Sequence, residues 1–585
     1  MRHVRIVTAL LLVAPTSAQT LLRSVPGPGL NAQFGAASIL VPDQNADGYA
    51  DVLVGAPGYN QERGAIFCVS GGFLATGLGA STVWSLAPTA NQGDRFGASL
   101  AFVGDATGDG IGDFLVGQPG YDTSTFADAG RVHLIDGVLR QSVRTFSGPE
   151  QGAALGTAMT VTEDATGDGR VEVAVSAPGA LATTGRILVF DLSYPFGPSG
   201  TYFIDILWGT SLPSALDPGV ALASGFDFNG DTVLDIAVGI PGGSNGGGVR
   251  ILSGFGLQPL GEYLSVAPGE RLGAAVDAAH DYDGDGRIDL VIGAPNAASG
   301  GAQPGRAVVV SSKRLYDDTP PFEIYTLSPL APGATPTTLH FGAAVRASAD
   351  LNGDGVGDFL VGAPDFSTTV PIGPGKGAVT LYSGATGQRL SSVVGANQDR
   401  LGDSILGAVA DLDGDSFPEF VVAGSRSDVV AVDNGVLKAY RLFPVTPSTY
   451  CTGKPNSLGC TPSIGFTGSP SASAPSGFVI TATNVLNQKN GLCFYSYAPQ
   501  SAAFQGGFLC VATPTLRTPP QSSGGATSGA SCTGAFDLDF NAWIASGFDA
   551  SLVVGAEVYA QYWARDPQSP SKTSLSNALR LLVNP

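Results

Sequence analysis

The chain has 585 residues and a formal charge of −20, with only 13% charged side chains against 82 glycines and 40 prolines. The acidity argues against nucleic acid or anionic membrane as a partner, and 43% hydrophobic residues exclude a disordered chain. The glycine and proline content predicts many short strands joined by tight turns, an all-β protein.

In chain order, Arg2 and Arg5 flank the start of an apolar run, Ile6 to Val13. Thr16-Ser17-Ala18 then offers a small-residue cleavage site before Gln19. An export signal over residues 1–18 is expected, placing the mature protein outside the cell, secreted or at the cell surface. No later apolar run approaches the roughly 20 residues that span a bilayer.

From residue 20 one unit recurs. Nine-residue loops begin at Asp43, Asp105, Asp164, Asp227, Asp281, Asp350 and Asp411, about 60 residues apart, which marks a repeated supersecondary unit. Each loop carries oxygen side chains at positions 1, 3, 5 and 9. The first set is Asp43, Asn45, Asp47 and Asp51, and the second Asp105, Thr107, Asp109 and Asp113. The third is Asp164, Thr166, Asp168 and Glu172, and the fourth Asp227, Asn229, Asp231 and Asp235. The fifth is Asp281, Asp283, Asp285 and Asp289, and the sixth Asp350, Asn352, Asp354 and Asp358. The seventh is Asp411, Asp413, Asp415 and Glu419. Alternate side chains of such a loop turn inward, and a main-chain carbonyl, that of Val356 in the sixth copy, fills position 7 of a cation shell. An all-oxygen set without Cys or His selects Ca²⁺ over Zn²⁺ or copper, so up to seven calcium ions are expected. Position 12 is apolar every time (Val54, Val116, Val175, Val238, Ile292, Val361, Val422), which rules out an EF-hand and assigns the loop to a β-hairpin. The fifth and sixth sites should be the tightest, and the second and third, with Thr at position 3, the weakest. Thr232 and Ser416 stand where a position-6 glycine is expected and should distort the turn.

A Phe-Gly or Leu-Gly pair precedes most loops: Phe34-Gly35, Phe96-Gly97, Leu155-Gly156, Leu272-Gly273, Phe341-Gly342 and Leu401-Gly402. The fourth copy departs, with Gly219-Val220-Ala221. After most loops a strand ends in Gly-x-Pro or a close variant, then come a Gly-led strand and a short edge strand. These motifs resemble the FG-GAP repeats of the integrin alpha-subunit β-propeller over about residues 20–445. The resemblance implies seven four-stranded blades, with calcium loops joining the first two strands of each on one face. The seventh copy lacks its edge strand, and TLLRSVPG (20–27) is expected to supply it. The expected architecture is therefore a seven-bladed β-propeller over 19–445, closed by an N-terminal edge strand.

Residues 444–450 read as a linker. Residues 446–585 hold five of the six cysteines and are expected to form a small β-sandwich-like domain, similar to C-terminal modules of large secreted bacterial proteins. Cys68, in an apolar strand, reads as a core residue. Cys451 with Cys460, and Cys493 with Cys510, are reasonable bridges, with Cys532 left over. Trp543 and Trp563 read as core residues before a carbohydrate site.

Only His133, His280 and His340 follow the signal, with no Ser-His-Asp or Cys-His signature beside them, so no catalysis is expected. The leading reading is a calcium-binding recognition or adhesion module for an extracellular protein or glycan, with structural calcium and no membrane span, acting as a monomer. Its ligand face would hold loops 117–130, 293–305 and 362–376, with Tyr121, Phe126 and Phe366 as anchors. The alternatives are a structural surface protein without a discrete ligand, or a hydrolase or lyase on a propeller scaffold.

Overall fold

The computed structural model describes residues 5–8, 20–162, 171–180, 185–192, 204–207, 221–242, 246–254, 256, 258–278, 280–298, 303–329, 339–351, 354–367, 375–409, 419–428, 432–441, 447–472, 474–553 and 556–583. The chain divides into two compact units, Met1–Pro15 with Leu21–Leu442, and Thr16–Thr20 with Phe443–Pro585.

Among the described residues, the strands of the first unit assemble into seven open sheets. The first is typical: Ser38–Val41, Asp51–Ala56, Ala65–Val69 and Thr82–Leu86 pair antiparallel in chain order. The second strand of every sheet is buried along its whole length, as in Asp51–Ala56, Asp113–Gln118 and Asp235–Ile240. That explains its continuous apolar run, because both of its faces are covered. The position-12 side chains, from Val54 to Val422, lie in these second strands at 0% exposure. In the seventh sheet the strands Ser404–Val409, Glu419–Gly424 and Val436–Arg441 are joined by Thr20–Pro26, which lies next to Val436–Arg441. The fifth sheet has an additional strand: Arg5–Thr8, within the segment assigned to export from the sequence, runs parallel to Glu323–Ser328.

Successive sheets are coupled in two ways. The first strands touch in order, and the first strand of the seventh sheet touches that of the first. The Phe-Gly and Leu-Gly pairs add a second link. Phe96 bridges to Gly64, which leads the third strand of the preceding sheet. Leu155 bridges to Gly130, Leu272 to Gly247, Phe341 to Gly305 and Leu401 to Gly377, and Phe34 reaches Gly435 of the seventh sheet. All six apolar side chains are at most 2% exposed, and each such burial is worth about 1.5–3 kcal/mol. Apolar clusters fill the spaces between neighbours, for example Phe341, Phe359 and Tyr382 of the sixth sheet against Val309 and Tyr325 of the fifth.

In the second unit, Ser448–Tyr450, Thr573–Leu582, Glu557–Arg565, Asn490–Ser496 and Leu516–Arg517 form one sheet in that order, with Gln521–Ser522 also on Asn490–Ser496. Ser463–Thr467, Val479–Val485 and Gly534–Asp539 form another. Phe478, Ile480, Cys493, Tyr495, Phe536 and Val558 fill a shared core. Two expectations need correction here. Ser448–Tyr450 is a strand, not linker, because its backbone pairs with Leu579 and its neighbours. The bridges are Cys451–Cys510 and Cys460–Cys532, with Cα atoms 6.3 and 6.5 Å apart. Cys493 cannot join them: it points into the core from a central strand at 0% exposure, and both it and Cys68 are free and buried.

Candidate metal centres

Each described acidic loop connects the first strand of a sheet to the second, and position 9 is the first residue of the second strand or directly precedes it. That placement buries a carboxylate. Asp51, Asp113, Glu172, Asp235, Asp289, Asp358 and Glu419 are all at 0% exposure. A buried carboxylate needs hydrogen-bond donors, and backbone N–H groups supply them. Asp51 accepts from Gln44 N–H and from Gly71 N–H, each at 2.8 Å. The pattern recurs with Thr107 and Gly137 on Asp113, Phe228 and Gly254 on Asp235, Tyr282 and Ser312 on Asp289, and Leu351 and Gly384 on Asp358. Position 9 thus ties the acidic loop to the turn after the third strand. Burial pushes the carboxyl up to about 6 at Asp235, about 7 at Asp358 and about 8 at Asp289. The N–H bonds oppose this and the other loop carboxylates add to it.

Position 1 organises the turn. Asp281 accepts N–H bonds from Gly284 at 2.7 Å, Asp285 at 3.1 Å and Gly286 at 2.7 Å. Asp43 gathers those of Asn45, Asp47 and Gly48. Burial pushes the Asp43 carboxyl up, but these N–H groups outweigh it and hold the carboxyl below its usual range. Position 6 is left-handed, with φ of 90° at Gly48 and 89° at Gly355. The expected distortion at Thr232 needs correction. Thr232 keeps the bond to Asp227, at 2.8 Å, and takes φ of 72° to do so. The substitution stores strain and leaves the turn's shape intact, because the Asp227 carboxylate fixes where the N–H must point.

Among the fully described loops, the fifth gathers most charge. Carboxylate oxygens of Asp281, Asp283 and Asp285 lie within 4.8 Å of one another. Both Asp283 oxygens are buried, and the Arg314 guanidinium pairs with one of them at 2.7 Å. Burial, followed by the Asp285 charge, raises the Asp283 carboxyl, with Arg314 opposing. Such oxygen donors fit a hard divalent cation. Asp164, Thr166, Asp168, Asn352, Asp411, Asp413 and Asp415 lie outside the described residues, as does Ser416.

Sequence reasoning missed one set of participants. Ser70, Ser311 and Ser383, just after the third strands, donate to the position-5 carboxylates Asp47, Asp285 and Asp354 at 2.9, 3.2 and 3.0 Å. The signal was the Ser-Gly or Ser-Ser pair ending those strands, whose second residue gives its N–H to position 9.

The expected ligand anchors fare unequally. Tyr121 is half-buried with the Arg131 guanidinium 3.5 Å above its ring, and Phe126 is half-buried. Phe366 is not an anchor: it is 9% exposed and packs in the cluster with Phe341 and Phe359. Residues 299–302 and 368–374 of the other loops lie outside the described set. The three histidines are not gathered into one site. His133 is buried between Gln118 and Ser142, His340 pairs with Asp365, and His280 stacks edge-on to Tyr282.

Comparison with known proteins matches the FG-GAP repeat at residues 34–67, 96–135, 218–252, 272–310 and 341–382, so the chain carries five such repeats. The third and seventh acidic loops, whose position 9 is Glu172 and Glu419, fall outside the matched stretches. Integrin alpha-PS2 of Drosophila melanogaster is 30% identical over 37% of this chain and 16% of that protein. The phosphatidylinositol-glycan-specific phospholipase D of Homo sapiens is 31% identical over 34% of this chain and 24% of that protein. The chain thus spans under a quarter of either relative. Among solved structures, the Dos1 propeller aligns with 67% of this chain and 74% of that one, at 11% identity and a TM-score of 0.35. No helix among the described residues is long and apolar enough to cross a membrane.

Proposed function

We propose that this integrin-like repeat protein is an extracellular recognition or adhesion module. Its seven sheets are the blades of a closed propeller, and calcium in the acidic hairpins holds the blades in shape. The supporting observation is the recurrence, in each fully described loop, of a buried position-9 carboxylate beside further oxygen donors. Burying a carboxylate near like charges is costly, and a divalent cation offsets that cost. Closure is supported by Thr20–Pro26 in the last sheet and by the bridge from Phe34 to Gly435. Asp43, Asn45, Asp47 and Asp51 would hold one ion, and the corresponding residues of the other loops the rest. The ion would supply charge neutralisation, and the N–H bonds to positions 1 and 9 would orient the donors. Adhesion follows by analogy with the integrin alpha chains, and the ligand face is assigned to the loops opposite the hairpins. Residues 19–445 form the propeller and 446–585 the second domain.

Elemental analysis of the purified protein, with calorimetry in millimolar calcium and in chelator, tests the metal reading. Several bound calcium ions and a melting temperature at least several degrees lower in chelator are expected. Equal melting with no bound metal rejects it. A protein and glycan binding screen then tests recognition. Replacing 298–302, which leaves the Leu290–Ala294 strand and the Gly305 bridge in place, by a Gly-Ser loop should abolish the signal, and unchanged binding would move the ligand face elsewhere.

A further inference from the structure

The second unit carries a cleft that the propeller reading does not use. Leu492 and Phe494 alternate with Cys493 and Tyr495 along one strand, so they face away from the shared core and toward a smaller apolar cluster with Val511, Tyr559 and Leu575. Register places Trp563 opposite Leu492, and Arg517 opposite Phe494, on that same outer face. The hairpin of Pro499–Phe504 and Gly507–Val511 contributes Phe504, Gln505 and Leu509 to the same cleft. The volume of this open cleft is about 530 Å³, inside the range of about 300–1,000 Å³ usual for small-molecule sites.

Its lining is one-sided in chemistry. Arg517 is the one charged side chain there, in a chain of net charge −20, and no carboxylate lines the cleft. The Gln505 carbonyl accepts from Thr573 at 2.8 Å, which leaves its amide N–H₂ as donor. Among the described residues, that N–H₂, the Arg517 guanidinium and the Trp563 indole N–H have no protein acceptor. Half-buried Trp563 brings an aromatic ring to the same lining. An acyl chain would strip water from Gln505, Thr515 and Arg517 without replacing it, which is costly. A pyranose presents C–H groups to an aromatic ring and oxygen acceptors at its rim, and a carboxylate matches a guanidinium fork.

We infer that this cleft binds a carboxylate-bearing sugar, such as a uronate in an acidic glycan, with Trp563 as the stacking surface and Arg517 as the carboxylate's partner. This inference is independent of calcium in the propeller.

The test is calorimetric titration of the full-length protein, in constant millimolar calcium, with an oligogalacturonate and its carboxyl-reduced neutral counterpart. The acidic oligomer should bind with quenching of tryptophan fluorescence. The neutral one should bind roughly tenfold or more weakly. Arg517→Gln, at an exposed position, should lose a similar factor while keeping the wild-type melting temperature. Trp563→Phe should retain binding but lose the quenching. No binding of the acidic oligomer, equal binding of the neutral one, or unchanged affinity in Arg517→Gln each overturns the inference. The last result would place the glycan on the acidic hairpins through calcium. Tighter binding of a fatty acid than of the sugar overturns it as well.

Discussion

At the scale of single residues, two positions show how placement overrides residue preference. Thr232 is β-branched yet left-handed, a conformation that costs about 1–2 kcal/mol for a residue with a Cβ. Thr232→Gly relieves that strain but loosens the unfolded chain, so a net gain of up to about 1 kcal/mol is expected. Thermal melting in calcium checks it, and a lower melting temperature would show that the threonine is not strained. His133 is 7% exposed. Its Nε2 lies 2.7 Å from the Gln118 side-chain oxygen and its Nδ1 3.1 Å from the Ser142 hydroxyl. Gln118 in turn donates to Asp94 at 3.0 Å. Burial, with Arg131 adding, pushes the imidazole down to about 4 from the 6.5 of a free histidine. The unfolded chain therefore takes up a proton that the folded one refuses. Stability falls as pH drops from about 6.5 to about 4, by up to about 3 kcal/mol from this group. In saturating calcium, the wild-type stability should decline more steeply over that window than that of His133→Gln; parallel curves would contradict the assignment. The conflict at Thr232 was legible in sequence from the glycine expected there, though its outcome was not; the burial of His133 was not legible, since a histidine looks alike in buried and open surroundings.

At the scale of elements, the repeat's motifs acquire separate physical jobs. A Cβ built on Gly55 would lie 2.0 Å from the Gly97 carbonyl oxygen of the next sheet, and one on Gly362 would lie 2.2 Å from that of Gly402. At these positions the glycine lets the next Phe-Gly or Leu-Gly pair approach, whereas the seventh copy carries Ala423 there and sets its Cβ against Gly35 of the first sheet. The third copy has Ser176 at this position, and the copy that follows it is the one lacking a Phe-Gly or Leu-Gly pair. Gly55→Ala should cost at least about 2 kcal/mol, read as a drop in melting temperature. Gly284→Ala, where a Cβ meets open space, tests left-handed strain alone and should cost less. Gly55 is not left-handed, so its loss reads the approach alone, and an unchanged melting temperature in Gly55→Ala would mean that contact with the next sheet contributes nothing. The motifs themselves were plain in the sequence. The serines at 70, 311 and 383 were not read because Ser-Gly at a strand end is an ordinary turn signal. The disulfide pattern was misread for a related reason. Spacing favoured near neighbours, whereas the sheets bring cysteines 59 and 72 residues apart together.

At the scale of the whole molecule, the seventh sheet is the one that draws strands from both ends of the repeat region. Its third strand, Val436–Arg441, has Thr20–Pro26 as its outer neighbour. A chain beginning at residue 27 would leave Val436–Arg441 as a bare edge, open to pairing with another chain. Such a truncation should melt at lower temperature and associate in a concentration-dependent way by light scattering. A monomer of unchanged stability would contradict the role given to this strand.

The sequence by itself determined the repeat, its period, the acidic loops and the all-β character, because these rest on local spacing: oxygen donors within nine residues and apolar runs within six. Only the tertiary structure decided which carboxylates are buried and which cysteines meet. It also decided that Phe366 is core and that Arg517 and Trp563 share one cleft. Each of these depends on residues distant in the chain being brought together by sheet register. Register is set by the sum of all pairings, which no short stretch of sequence carries alone.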